Sequence, residues 1–364
     1  MNIENGRISG LQFSSLIIGF IEGSIILTSF ASNITKQETW LAILTGLLSI
    51  APFIYFYTLL AKRFPGINFA QINRLIYGPY IGIFITVLYL CYFILTLSFN
   101  IQDLGNFYTV FFMRNTPIEV FLIIFTLTCA YVVWHGIEVL ARVSQIIVPI
   151  VLLVVLAATF LLFPQMNFSN LLPLFDLPIK DYIHGTQIIA AIPFGELVAI
   201  LTITFALNNT SHISRNTLVS LFLGALLLVI ITIRNTAVLG NTEAFLISPS
   251  YQVVRLINIG FLSRMDILFA LIHTFALFLK CSILLYGIIL LLSQLLKLKT
   301  YTPVIFPISC ILIILAVIVY PSIAEHIKTS QKAGIMFGFP FIYIIPSLSL
   351  LIAKIRNLRK KGTQ

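Results

Sequence analysis

The chain is 364 residues long, 59% hydrophobic and only 9% charged, with a mean hydropathy of +1.04. A soluble domain carries roughly a quarter charged residues, so a soluble enzyme or binding module is excluded and a polytopic helical membrane protein is expected. The formal charge of +10 sits in mostly short loops, which points to orientation in a bilayer rather than to nucleic acid.

Ten apolar runs follow in chain order: 11–32, 40–62, 79–112, 118–135, 143–163, 183–207, 216–238, 265–292, 303–320 and 335–354. Runs of about this length read as membrane-spanning helices. The polar stretch before Leu11 and the full length of the first run argue against a cleavable leader. The third run is too long for a perpendicular crossing and is expected to tilt. Pro52, Pro149 and Pro346 lie inside runs, where membrane helices tolerate kinks. Alternate loops and both termini carry thirteen basic residues against eight on the opposite side, with Lys280 inside the eighth run. Both termini are therefore expected to be cytoplasmic. The basic tail, residues 355–364, reads as an anchor on anionic lipid. Cys91, Cys129, Cys281 and Cys310 stand alone in apolar runs and read as packing residues.

Residues 1–364 thus form a single transmembrane domain. Its first five runs (about 11–163) and last five (about 183–354) have opposite orientation, because five is odd. Inverted repeats of this kind characterise secondary transporters, whose sites lie on interrupted helices near mid-membrane. The first run carries Gly19, Glu22, Gly23 and Ser24 near its middle; the sixth carries Pro193, Phe194, Gly195 and Glu196. Proline removes a backbone donor and glycine admits angles that other residues avoid. A carboxylate in hydrocarbon costs at least ~2.5 kcal/mol, so such a break is expected to face protein or a wet cavity. These eight residues are the candidate ligand-binding set: backbone N–H groups near Gly23 and Ser24 for a carboxylate, and Glu22 or Glu196 for an ammonium. Phe194, Ile25 and Leu27 suggest a small apolar side chain on the ligand. The alternative is a simple kink with Glu196 as internal glue.

Other polar groups have candidate gating or coupling roles. Asn100 and Asp103 lie toward the outer end of the third run, either at an entrance or in ordinary interhelical hydrogen bonds. Glu138 and Arg142 stand four apart in the favourable order, as a register-setting ion pair or a cytoplasmic gate. Lys280 is expected to pair with Glu22 or Glu196, or to stand where a coupling cation would. Residues 250–262 suggest a short amphipathic helix on the outer face. No nucleophile elbow, phosphate loop or metal-ligand spacing occurs, so neither catalysis, nor a metal, nor a cofactor is expected.

The ordered segments ISGLQFSSLIIG, QETWLAIL, TPIEVFLIIFTLTCAYVVWHGIEVLARVSQIIVP, NLLPLF, PFGE, RNTAVLGNTEAFLISPSYQVVRLINIG and RMDILFALI give the chain a resemblance over nearly its whole length. It resembles the B subunit of bacterial spore germinant receptors, the endospore germination permease family of the amino acid–polyamine–organocation superfamily. Asp266 departs from the glutamate of the family pattern. The resemblance implies a ten-helix LeuT-like 5+5 fold with broken first and sixth helices, in the inner membrane of the spore. It also implies nutrient sensing beside an A subunit and a lipoprotein C subunit. A permease for an amino acid or similar solute, working by alternating access, is the alternative, and a structural hub with a vestigial pocket is a third.

Overall fold

The computed structural model describes residues 6–257 and 265–358. The chain is an all-α, multi-span membrane protein. Its helices are α1 (Gly10–Glu22), α2 (Ser29–Thr35), α3 (Thr39–Arg63), α4 (Phe69–Tyr77), α5 (Pro79–Phe111), α6 (Ile118–Trp134), α7 (Ile137–Leu162) and α8 (Ile179–Ile189). They continue as α9 (Ile213–Leu239), α10 (Pro249–Arg255), α11 (Met265–Leu295), α12 (Thr302–Ile318), α13 (Ile323–Thr329), α14 (Ile335–Phe339) and α15 (Ile345–Ile355).

All ten apolar runs are helical, yet among the described residues seven helices are long and apolar enough to cross a bilayer, or eight if α12 and α13 form one bent span. The difference comes from interruptions within and between runs. The 13 residues of α1 reach only about 20 Å at 1.5 Å per residue, against a hydrocarbon core of about 30 Å. Between α12 and the helical segment Ile323–Lys332 the axis turns by 97°. Of the short helix expected at 250–262, α10 covers Pro249–Arg255; positions 258–262 lie outside the described residues, as do Arg264 and the tail positions Arg359, Lys360 and Lys361.

The centre of the molecule is α11. Of its most apolar stretch 89% is buried, against 33% for the span containing α7 and 28% for the span containing α14 and α15, so α11 packs against protein while those two face lipid. Helix α1 begins with a reciprocal cap, in which Gln12 N–H donates to Ser9 Oγ and Ser9 N–H donates to Gln12 Oε1. It ends at Gly23, where the backbone comes against α11: a Cβ there would lie 2.7 Å from Lys280 Cβ and 2.9 Å from the Ala276 carbonyl oxygen. Only glycine allows that approach.

The N-terminal segment closes one end of the bundle. Ile8 forms a parallel bridge with Leu207, with Ile8 N–H on the Ala206 carbonyl (2.9 Å) and Asn208 N–H on the Ile8 carbonyl (3.0 Å). The start of the first helix is thereby tied to the end of the sixth run.

Near the C-terminus, Pro346 has no N–H to give the Ile342 carbonyl four residues back, or the Phe341 carbonyl five back in the wide turns of Pro340–Ile344. Two buried tyrosines answer these acceptors. Tyr57 of α3 donates to Ile342 O at 2.5 Å and Tyr89 of α5 to Phe341 O at 2.8 Å. An unanswered buried carbonyl costs ~1–3 kcal/mol. Tyr57→Phe is therefore expected to destabilise the solubilised protein by about that amount, read as a lowered midpoint in thermal denaturation; an unchanged midpoint would remove this account of the proline.

Candidate functional site

The site lies where the first and sixth runs lose α-helical winding. After Glu22 the chain tightens: Gly23 N–H bonds to Gly19 O, Ser24 N–H to Ile21 O and Ile25 N–H to Glu22 O, before a 3-10 turn at Ile26–Thr28. In the sixth run α8 widens into a π segment, Ala190–Phe194, containing Pro193, then tightens to a 3-10 helix, Gly195–Thr202. Neither run is a continuous α-helix. The N–H groups at Gly23 and Ser24 are engaged with carbonyls of the preceding turn, so they do not form the bare donor pair expected from sequence. A 3-10 turn keeps its donors by bonding three residues back instead of four.

Lys280 joins the two breaks. It is completely buried; its Nζ donates to Ser24 Oγ at 2.7 Å, lies 2.7 Å from Glu196 Oε2, and sits 5.6 Å from the centre of the Phe20 ring. The approach to Glu196 is close in distance but off the line of a good hydrogen bond. A buried ammonium needs such company, because its desolvation in hydrocarbon is uncompensated otherwise.

Beside this pair is a cavity of about 60 Å³, room for roughly four to six waters. One wall is a single face of α5: Tyr92, Thr96, Asn100 and Asp103, spaced four, four and three residues apart. Glu196 and Ala191 come from the sixth run, Leu27 and Phe30 from the chain after the first break, and Phe337 and Ile342 from the last run. The remaining wall is the bend after α12. There His326 Nδ1 lies 2.8 Å from Asp103 Oδ1, and its ring stacks on Tyr320 at 4.4 Å between centres and meets the edge of Phe30 at 5.3 Å. Gln102 Nε2 donates to the Tyr320 carbonyl (2.8 Å), and Gln331 Nε2 to the Phe30 carbonyl (2.8 Å). Buried Asn100 donates to Thr96 O, while its Oδ1, on the cavity wall residue, has no partner.

Of the eight ligand-binding candidates, Glu196 lines this cavity and the others stand behind it. Gly19 packs where a Cβ would lie 2.5 Å from Leu279 Cδ1, and Gly195 where it would lie 2.6 Å from Ile342 Cδ1. Pro193 and Phe194 are buried, and Ser24 serves Lys280. Glu22, 1% exposed, has neither carboxylate oxygen hydrogen-bonded. Among the gating candidates, Asp103 and Lys280 are at the cavity. Glu138 and Arg142 are at the bundle's end, exposed, 3.4 Å apart, with Arg7 N–H donating to Glu138 Oε1 at 2.8 Å. Asp103 is a cavity wall rather than an outer rim.

Sequence reasoning missed Tyr92 and Thr96, although polar residues at helical spacing from Asn100 in an apolar run were a usable signal. It also missed Tyr320, the last residue of the ninth run, and His326, which lies between the ninth and tenth runs. Among the described residues no three His, Cys, Asp or Glu side chains are grouped to hold a metal, and the four cysteines are free.

The sequence profile of a family described as spore germination protein matches residues 7–329. The chain is 25% identical to spore germination protein KB of Bacillus subtilis (strain 168), covering 100% of this chain and 99% of that protein. Among solved structures it is similar to Mhp1, a nucleobase-cation-symport-1 family transporter in a closed conformation with bromovinylhydantoin bound. That match has TM-score 0.71 and 12% identity, over 99% of this chain and 81% of that one. It is also similar to MhsT in complex with L-phenylalanine, with TM-score 0.69 and 12% identity, over 97% and 99%. At such identities the likeness concerns the fold alone, which is that of LeuT-type transporters.

Removing one member of a buried ion pair costs ~3–5 kcal/mol, because the other charge is left without compensation. Lys280→Met and Glu196→Gln should each lower stability on that scale, and the double variant by clearly less than the sum. Additive losses in a thermal double-mutant cycle would show that the two groups do not interact.

Proposed function

The chain belongs to the spore germination protein family, and from that premise we propose that it binds a small solute in the cavity beside Glu196 and Lys280 and carries it across the membrane by alternating access. The likeness to solved solute transporters supports this permease reading better than one of sensing alone. The observation that carries it is the small cavity bounded by both interrupted runs, with Asp103–His326 on one side and Glu196–Lys280 on the other. An interrupted helix at mid-membrane is tolerated where it lines such a cavity.

In this proposal the ten helical runs form a 5+5 inverted repeat, about 11–163 and 183–354, in one domain with cytoplasmic termini. The solute is an amino acid or similar zwitterion. Its ammonium end lies toward Glu196, Asp103 and the open Asn100 Oδ1, and its body lies among Phe30, Tyr92 and Phe337. Gly19, Glu22, Gly23, Ser24, Pro193, Phe194 and Gly195 shape the breaks rather than touch the solute. Lys280 couples the two breaks through Ser24 and Glu196. Glu138 and Arg142, held with Arg7, act as the inner gate.

Family membership supports a second reading: the same pocket senses a nutrient germinant in the inner membrane of the spore, as a receptor B subunit beside an A subunit and a lipoprotein C subunit. Either reading needs a ligand with different affinity for two states of the bundle.

Radiolabelled amino acids offered to proteoliposomes holding this chain alone separate the two. Accumulation, reduced at least about tenfold by Asp103→Asn, is the expected result. Thermal stabilisation by the same solute without accumulation would move the conclusion to sensing. Neither uptake nor stabilisation across amino acids, sugars and nucleosides would overturn both.

A further inference from the structure

A second charged feature lies far from the cavity, at the corner where α3 ends, α4 crosses and α15 finishes. Five basic residues stand on the helix ends that meet there: Lys62 and Arg63 in the last turn of α3, Arg74 in that of α4, and Lys354 and Arg356 at the end of α15. Among the described residues no carboxylate lies within ion-pair distance of any of them.

The corner is built rather than loose. Leu60, Phe64, Ile72, Ile76 and Ala353 form their own small apolar cluster, separate from the main core. Arg63 closes the end of α15, donating from Nε to Leu358 O (2.5 Å) and from Nη2 to Ala353 O (2.9 Å). Arg356 closes the end of α4, donating to Ile76 O at 2.7 Å. Tyr77 Oη and Ser349 Oγ join α4 to α15 at 2.9 Å. Gly78, at φ 87°, turns the chain sharply from α4 into α5. Two of the five cations thus position the helices. Among the described residues the other three, Lys62, Arg74 and Lys354, have no anionic partner, and Arg74 Nε has no hydrogen bond.

The surroundings fix the depth. Leu75, Tyr80, Ile81, Phe84 and Ile355 are exposed around the corner, an apolar surface suited to acyl chains. The cations sit at the ends of two apolar spans, where headgroups lie. Basic groups at that level, left without protein counter-charges, attract anionic lipid.

We infer that this corner binds the phosphate headgroup of an anionic phospholipid, held by Lys62, Arg74 and Lys354 while its chains lie over Leu75, Tyr80 and Phe84. The site is independent of the solute cavity and of whether the chain transports anything. A lipid there would bridge α3, α4 and α15 across their outer surface, adding to the capping bonds beneath it.

The test uses the full chain in bilayer discs of phosphatidylcholine, with or without phosphatidylglycerol, reading the thermal midpoint and, by native mass spectrometry, the lipid retained. Wild type is expected to show a higher midpoint with phosphatidylglycerol and to retain that lipid. The combined variant Lys62→Gln, Arg74→Gln and Lys354→Gln should lose both effects, with its midpoint in phosphatidylcholine unchanged. Retention should fall about fivefold for each neutralised charge. A control, Arg215→Gln with Lys297→Gln and Lys299→Gln, removes equal charge elsewhere and should keep both effects. If the combined variant does not fold, Lys354→Gln alone, an exposed position, should still show the fivefold loss. The inference falls if the corner variants retain the lipid as wild type does. It also falls if the control loses it equally, or if inorganic phosphate in detergent reproduces the stabilisation.

Discussion

The ammonium of Lys280 is the point on which the middle of the bundle is organised. It reaches one interrupted helix through the Ser24 hydroxyl and the other through the Glu196 carboxylate, both at 2.7 Å. In hydrocarbon neither charge is tolerable alone. That constraint explains several neighbouring choices. Gly23 has no side chain because the lysine's own stem occupies the space, and the helix from which the lysine projects is the most buried span. The two breaks share a common strut in addition to their direct packing.

A second pair repeats the arrangement at the opposite wall, with the polarity reversed. There the carboxylate, Asp103, lies on the long straight helix and its partner, His326, on the bent segment after α12. The cavity is the space between these two pairs. Its volume holds only a few waters, and passage of anything larger requires the bent segment or the interrupted helices to shift.

Much of this was legible in the sequence. The apolar runs located the helices, and the placing of Glu22 and Glu196 beside glycine and proline located the interruptions, because few other reasons exist for such residues in oil. What sequence did not convey was facing. A helical run presents each residue to one side only, and nothing local showed that Glu196 faces the chamber while Gly19, Gly23 and Phe194 serve packing. His326 was hidden for another reason: it lies in a polar stretch whose hydrophobic pattern is that of a loop, and only the 97° bend brings it against Asp103. The donors at Gly23 and Ser24 were misjudged because a break was equated with unpaired backbone, whereas a tightened turn satisfies itself.

The bridge between Ile8 and Leu207 acts as a yoke. It fastens the entry of the first helix to the exit of the sixth run, and Arg7, one residue before, grips Glu138 at the mouth of α7. Fastened in this way, the portions of the two interrupted helices at that end cannot swing independently. Any opening toward that end of the bundle must either carry both as one rigid body or first unzip three short contacts near the chain's beginning.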